Sequence, residues 1–220
     1  MVNFRKFLWR CYRKVKQFPD NRTEEYWDAA ATIYPEGTIC TSADKKNFES
    51  LFSIIKHPSV KLSKDMIVLD VGCGIGRSTP YVAPKVLQYI GVDYSKNMVQ
   101  KARRRHRHLL NAHFIKNDGW LLADVQCNAI DLAYSELVFQ HMSKSNIMVY
   151  ISEVLRVLKP QGIFIAQIPR KDYFKTVDPE GAEVYGMTKE EVIEAFIHYR
   201  IVEFLDFEHE YAYFLMRAAK

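Results

Sequence analysis

A short apolar run, Met66-Ile-Val-Leu-Asp-Val71, delivers the chain straight into Gly72-Cys-Gly-Ile-Gly76, and this junction constrains the fold more than any other stretch. An apolar run without polar alternation reads as a strand buried on both faces, as in a parallel sheet. Glycines at alternating positions then let backbone come close to a ligand. Comparable runs recur at Gln88–Asp93, Ala112–Asp118, Ala129–Ser135 and Gly162–Pro169, with helical patterns at Ser95–Leu110 and Ser143–Leu158. That alternation predicts an α/β fold with a parallel sheet and right-handed crossovers. The last third differs: Tyr199–Phe207 and Tyr211–Arg217 read as a hairpin joined by Glu208-His209-Glu210. Ser95 and Ser143 stand where N-caps are wanted, and Thr188-Lys-Glu-Glu191 matches a capping box.

The glycine turn alone is ambiguous, because dinucleotide enzymes and ordinary tight turns use the same residues. Asp70, two residues before the first glycine, narrows the choice. A carboxylate there would repel a pyrophosphate but suits a ligand that carries an ammonium and a sulfonium. The spacing is also GxGxG rather than GxGxxG, so a nicotinamide-dependent dehydrogenase is the weaker reading. Asp93 ends the second run 23 positions later, where it can accept from both hydroxyls of a ribose. Asn117-Asp118-Gly119 ends the third, where a carboxylate can accept from an adenine amino group beside close-lying backbone. In an open parallel sheet, ligands sit at the strand C-termini near the topological switch, so the three acids converge on one crevice.

With these residues the chain resembles the class I S-adenosylmethionine-dependent methyltransferases of small-molecule type, over about residues 40 to 218. The resemblance implies a doubly wound, Rossmann-like, seven-stranded sheet of order 3-2-1-4-5-7-6 whose last strand is antiparallel. It implies S-adenosyl-L-methionine as cofactor and S-adenosyl-L-homocysteine as product. Gly72 and Gly74, with Gly76 closing the turn, would face the methionine part, and Asp70 would engage its amino group through water or backbone. Asp93 would bind the ribose, Tyr94 and Met98 would flank the adenine, and Asp118 with Gly119 would take its amino group. Ser135 would lie near the methionyl end. Tyr94 and Met98, at i and i+4 of a helix, also read as plain core packing.

The loop Ser135-Glu-Leu-Val-Phe-Gln-His-Met142 should face the transferable methyl group, with Gln140 and His141 as its polar candidates for catalysis. An imidazole could take an acceptor proton near neutral pH. A shaping role for the loop is the competing reading, since transfer from a sulfonium is already activated and positioning can suffice. The loop has no Asn/Asp-Pro-Pro-aromatic segment and no Pro-Cys pair, which points away from adenine, amide and pyrimidine methylation. A small-molecule or lipid-like acceptor is expected, and nucleic acid is not. Tyr173, Phe174 and Tyr185, in the segment 170–186, could wall the acceptor pocket.

The formal net charge of +5 belongs to the N-terminus. Residues 1–18 hold six cations and no acid, so 25 of the 31 Lys and Arg face 26 acids in the remainder. Phe4, Phe7, Leu8, Cys11, Val15 and Phe18 share one face of a helical wheel, so a basic amphipathic helix is expected. It reads as a lid on the pocket, as a peripheral membrane contact or as a targeting segment, and Tyr26 and Trp27 downstream resemble the aromatic approach to the cofactor in related enzymes. The chain thus divides into residues 1–43, basic helix and aromatic connection, and 44–220, the methyltransferase domain opened by a helix near 44–55. The four cysteines show no zinc-ligand spacing, no apolar run approaches a membrane span, and no secretory signal is evident, so a cytoplasmic protein without metal is expected. A silent cofactor-binding subunit acting through its N-terminal helix is the alternative to an enzyme.

Overall fold

A computed structural model of the chain describes residues 24–33, 57–58, 60–172, 186–205 and 213–220. The basic helix at 1–18, the helix near 44–55, the hairpin turn at 208–210, and Tyr173, Phe174 and Tyr185 lie outside the described residues.

The described elements are α1 (Glu24–Ile33), β1 (Ile67–Val71), α2 (Thr79–Val82), β2 (Gln88–Asp93), α3 (Lys96–Arg105), β3 (Ala112–Lys116), β4 (Ile130–Ser135), α4 (Lys144–Val157), β5 (Leu158–Pro169), α5 (Lys189–Ala195), β6 (Ile201–Leu205) and β7 (Tyr213–Ala219). The seven strands form one sheet of order β3-β2-β1-β4-β5-β7-β6. β1 to β5 pair in parallel, and β7 runs antiparallel between β5 and β6. This is the expected fold and strand order.

Strand alternation sends apolar side chains into two layers, one on each face of the sheet. Leu69, Val71, Ala133 and Phe164 pack with Ile147, Ile151 and Val154 of α4 and Val192 of α5. Their neighbours Val68, Leu132, Tyr134 and Ile165 pack with Val82 of α2 and Val99 and Ala102 of α3. The sheet is therefore covered on both faces, and β1 and β4 lie side by side where the chain changes direction.

Element ends depart from the periodicity in interpretable ways. α3 stops at Arg105, because the next residue, His106, turns its ring inward to stack on Phe114, and Leu109 N–H then bonds the His106 carbonyl at 2.9 Å. β5 begins at Leu158 rather than Gly162, since a register irregularity opposite Ile130 and Leu132 accommodates Pro160 within the strand. The N-caps hold: Ser95 Oγ accepts from Met98 N–H at 3.1 Å, Ser143 Oγ accepts from Asn146 N–H at 3.3 Å, and Thr188 and Glu191 form the reciprocal capping box.

Helix α1 was not foreseen as a helix. It lies on α3, where the Asp28 carboxylate accepts from Asn97 N–H at 2.9 Å and from Ser95 Oγ, so that a residue 67 positions away adds a second cap to α3. Ala30 and Ala31 bury against Ile75 and Met98, which sets α1 over the C-terminal end of β1 and β2.

Candidate active site

The glycine turn folds over the end of β2. Gly72 and Cys73 N–H both donate to the Val92 carbonyl, at 2.8 and 3.0 Å. One oxygen of Asp93 accepts from Gly74 N–H at 2.8 Å, and the other accepts from Ser95 N–H at 2.9 Å. A single carboxylate thus joins the turn after β1 to the start of α3. Burial pushes the Asp93 pKa up to about 6 against these two N–H donors, with the negative charges of Asp70 and Asp28 adding to the rise.

All three glycines of the turn have positive φ, +77° at Gly72, +53° at Gly74 and +76° at Gly76, and their surroundings differ. A Cβ on Gly72 would lie 2.4 Å from Val138 Cγ2, whereas a Cβ on Gly74 would meet no heavy atom within 4 Å. Gly72 is therefore pressed by the loop after β4, and Gly74 opens on empty space.

That space is a cavity of about 480 Å³. It falls within the roughly 300–1,000 Å³ of small-molecule sites. Of the sequence-derived site residues it is lined by Gly72, Gly74, Asp93, Tyr94, Met98, Asp118, Gly119 and His141. Asp118 Oδ1 accepts from Trp120 and Leu121 N–H, each at 2.8 Å, and these donors hold its pKa below the ordinary value. Gly119, at φ +83°, leaves room for the Tyr94 ring, 3.0 Å from where its Cβ would stand.

Four of the sequence-derived residues do not line the cavity. Asp70 Oδ2 is buried beneath the turn and accepts from Ser78 Oγ at 2.6 Å, Tyr89 Oη at 2.6 Å and Tyr134 Oη at 2.9 Å. Burial raises its pKa, and the three hydroxyls oppose that rise. Ser135 Oγ donates to the Val71 carbonyl at 3.1 Å, tying β4 to β1. Gly76 backs onto the His106 ring and Thr79, and Gln140 is buried.

The cavity also holds Trp27, expected on the aromatic approach to the cofactor, and several residues outside the sequence-derived site set. Trp27 reaches in from α1, and its ring meets the His141 ring edge-on at 4.9 Å. Arg77 follows the glycine turn directly, and Trp120 follows Gly119 directly, so adjacency could have flagged both. Glu136, Leu137 and Val138 come from the loop after β4. Leu137 has φ +58°, a strained value for a branched residue, and its N–H is held by Gln167 Oε1 at 3.0 Å. Backbone strain of that kind leaves no trace in local sequence.

Residues 68–162 match the family described as Methyltransferase domain. The chain is thus similar to the class I S-adenosylmethionine-dependent methyltransferases. Phosphoethanolamine N-methyltransferase 1 of Caenorhabditis elegans is 23% identical over 140 residues, 64% of this chain and 29% of that protein. Demethylmenaquinone methyltransferase of Staphylococcus haemolyticus is 28% identical over 152 residues, 63% of this chain and 62% of that one. The chain thus spans less than two thirds of either curated relative. Among solved structures, a SAM dependent methyltransferase from Aquifex aeolicus superposes with a TM-score of 0.63 at 20% identity, covering 80% of this chain and 93% of that one. Haemonchus contortus phosphoethanolamine N-methyltransferase 1, in complex with phosphoethanolamine and S-adenosylhomocysteine, gives 0.68 at 13% identity, covering 95% and 49%. These two likenesses concern the fold.

The cavity fits S-adenosylmethionine, the cofactor of the proteins this chain resembles, on its own features. Gly74 leaves a cradle that any side chain would fill. The charged side chains lining the cavity are Asp93, Asp118 and Glu136 with Arg77, a mixture suited to a ligand with a carboxylate, an ammonium and a sulfonium. Among the described residues there is no cluster of His, Cys, Asp and Glu that could hold a metal.

Proposed function

We propose that the chain transfers a methyl group from S-adenosylmethionine to a small-molecule or lipid-like acceptor. The observation that carries this reading is the Asp93 bridge between the glycine turn and α3, beside a cavity that Trp27, Leu137 and His141 also line. Asp93 keeps lone pairs for ribose hydroxyls, Tyr94 and Met98 bracket the adenine, and Asp118 with Gly119 meets its amino group. Gly72 and Gly74 present backbone to the methionyl part. Bound there, the cofactor supplies a methyl group on a sulfonium, activated for in-line transfer. Trp27, Leu137 and Val138 exclude water from that end, and His141 is placed to take a proton from an acceptor hydroxyl or amine. Gln140, buried away from the cavity, supports the loop rather than the chemistry.

The relatives' names, phosphoethanolamine and demethylmenaquinone methyltransferases, support acceptors of small size but of two chemistries. The test is S-adenosylhomocysteine formation with a panel containing phosphoethanolamine and quinols. Turnover on any member supports the enzyme. Tight S-adenosylhomocysteine binding with no turnover on any would favour the silent subunit, and NAD binding in its place would end both readings.

Asp93→Ala is expected to weaken S-adenosylhomocysteine binding by roughly 1.5–3 kcal/mol, the range for hydrogen bonds to a charged group. Calorimetry at fixed pH measures it, with thermal melting to show the variant folded. The same carboxylate predicts a pH profile. Ionised Asp93 is the acceptor, so affinity should be full above its raised pKa of about 6 and fall as pH drops through that value. Asp93→Asn, which cannot ionise, should bind more weakly and with a flatter profile over that window. An unaltered profile in the Asn variant would remove Asp93 from the binding site.

A further inference from the structure

Charge along the methyltransferase domain is not spread evenly. Between residues 71 and 117 stand nine Lys and Arg, and the one carboxylate is Asp93. Asp93 sits at the cavity, at the C-terminal end of β2. Five of the nine cations fall in Lys101–Arg107, at the end of α3 and the turn beyond it. Arg103 is engaged, its guanidinium donating twice to the Phe114 carbonyl at 3.0 and 2.6 Å. Lys101 is engaged too, on the Ala31 carbonyl. Arg104, Arg105, Arg107 and His108 are exposed.

Two exposed leucines share this end of the sheet. Leu110 is 89% exposed and Leu87 57% exposed. Asn111 joins the two segments that carry them: its side-chain amide donates to the Ala83 carbonyl at 2.8 Å and the Val86 carbonyl at 3.1 Å, and its backbone carbonyl accepts from Tyr89 N–H at 2.9 Å. Lys85, also exposed, precedes Leu87 by two residues. Asp65 is an exposed acid beside Lys64, whose ammonium donates to the Pro84 carbonyl at 2.6 Å.

We propose that this surface, Leu87 and Leu110 ringed by Lys85, Arg104, Arg105 and Arg107, docks the protein on an anionic phospholipid bilayer. The chemistry of the patch selects that partner. Cations attract the lipid phosphates, and two exposed aliphatic side chains on anchored backbone enter the boundary between headgroups and acyl chains. A nucleic acid would gain from the cations but not from desolvating leucines, which offer no stacking face. β2 starts at this patch and ends at Asp93, so docking sets the cavity at the far end of the strand, facing water. The surface shares no residue with the cofactor site.

The experiment is co-sedimentation of the full chain with vesicles of phosphatidylcholine alone and of phosphatidylcholine with phosphatidylserine. Binding is expected only to the anionic vesicles and should weaken as salt rises. Leu87→Ser with Leu110→Ser, and separately Arg104→Glu with Arg107→Glu, should each reduce binding at least about tenfold, a loss of roughly 1.4 kcal/mol. Both pairs should keep wild-type melting temperature and S-adenosylhomocysteine affinity. A chain lacking residues 1–18 should still bind, with the same dependence on the leucines. Loss of all binding on that deletion, or binding unchanged in both pairs, would overturn the proposal. So would preferential binding of a single-stranded oligonucleotide that ignores the leucine pair.

Discussion

Gly72→Ala is expected to cost roughly 2–4 kcal/mol of stability and to take S-adenosylhomocysteine binding below detection, while Gly74→Ala spares the fold and affects binding alone. At Gly72 two penalties coincide. Its φ of +77° strains any L side chain, and a Cβ would stand 2.4 and 2.7 Å from the two Val138 methyl carbons. Val138 cannot retreat freely, because Leu137 N–H is held by Gln167 and the Val138 carbonyl accepts from His141 N–H at 3.0 Å. Strain at this position therefore passes into the loop that lines the cavity. At Gly74 the φ of +53° is accessible at smaller cost and a Cβ meets nothing, so the methyl group projects into the cavity. Thermal melting and calorimetry on both variants separate the effects. Adding Val138→Ala to Gly72→Ala should recover the steric part of the stability and leave the backbone part. Equal stability losses at the two glycines would refute the contact with Val138.

The contrast between these glycines marks where sequence reasoning reaches its limit. A buried run ending in alternating glycines is a local signal, and it located the turn, the sheet and the strand order implied by the family resemblance. The strand-terminal acids were equally legible, since β2 ends at Asp93 and Asp118 follows β3 wherever side-chain contacts fall. Which glycine is crowded depends on Val138, more than sixty residues away, and no local pattern carries that. Helix α1 shows the same limit: Tyr26 and Trp27 resembled an approach to the pocket, but Asp28 capping α3 is a tertiary bond. Net charge misled in a further way. Averaged over residues 19–220 it is near zero, which hid the run of cations from Lys101 to Arg107.

Asp70→Ala should be among the most damaging single changes in the domain, and its damage should appear in stability rather than in cofactor affinity. The sequence argument gave Asp70 the task of admitting a cationic ligand. In the structure it touches no part of the cavity; one of its oxygens collects Ser78, Tyr89 and Tyr134 hydroxyls at 2.6 to 2.9 Å. Those donors come from the start of α2, from β2 and from β4, so a single buried carboxylate joins three elements to β1. Alanine would strand three buried hydroxyls with only one another, Tyr134 to Ser78 at 2.7 Å and Ser78 to Tyr89 at 3.1 Å, inside a packed layer. Each lost hydrogen bond to a charged group costs about 1.5–3 kcal/mol, so losing three removes much of a domain's net stability. Asp70→Asn retains an acceptor oxygen and the volume, so its loss should be smaller. Denaturant titration ranks the two variants, and S-adenosylhomocysteine affinity of the folded fraction should stay within about tenfold of wild type, unlike Asp93→Ala. If Asp70→Ala instead melts like wild type and loses affinity, the carboxylate reaches the cofactor's amino group after all, and the hydroxyl cluster is incidental to the fold.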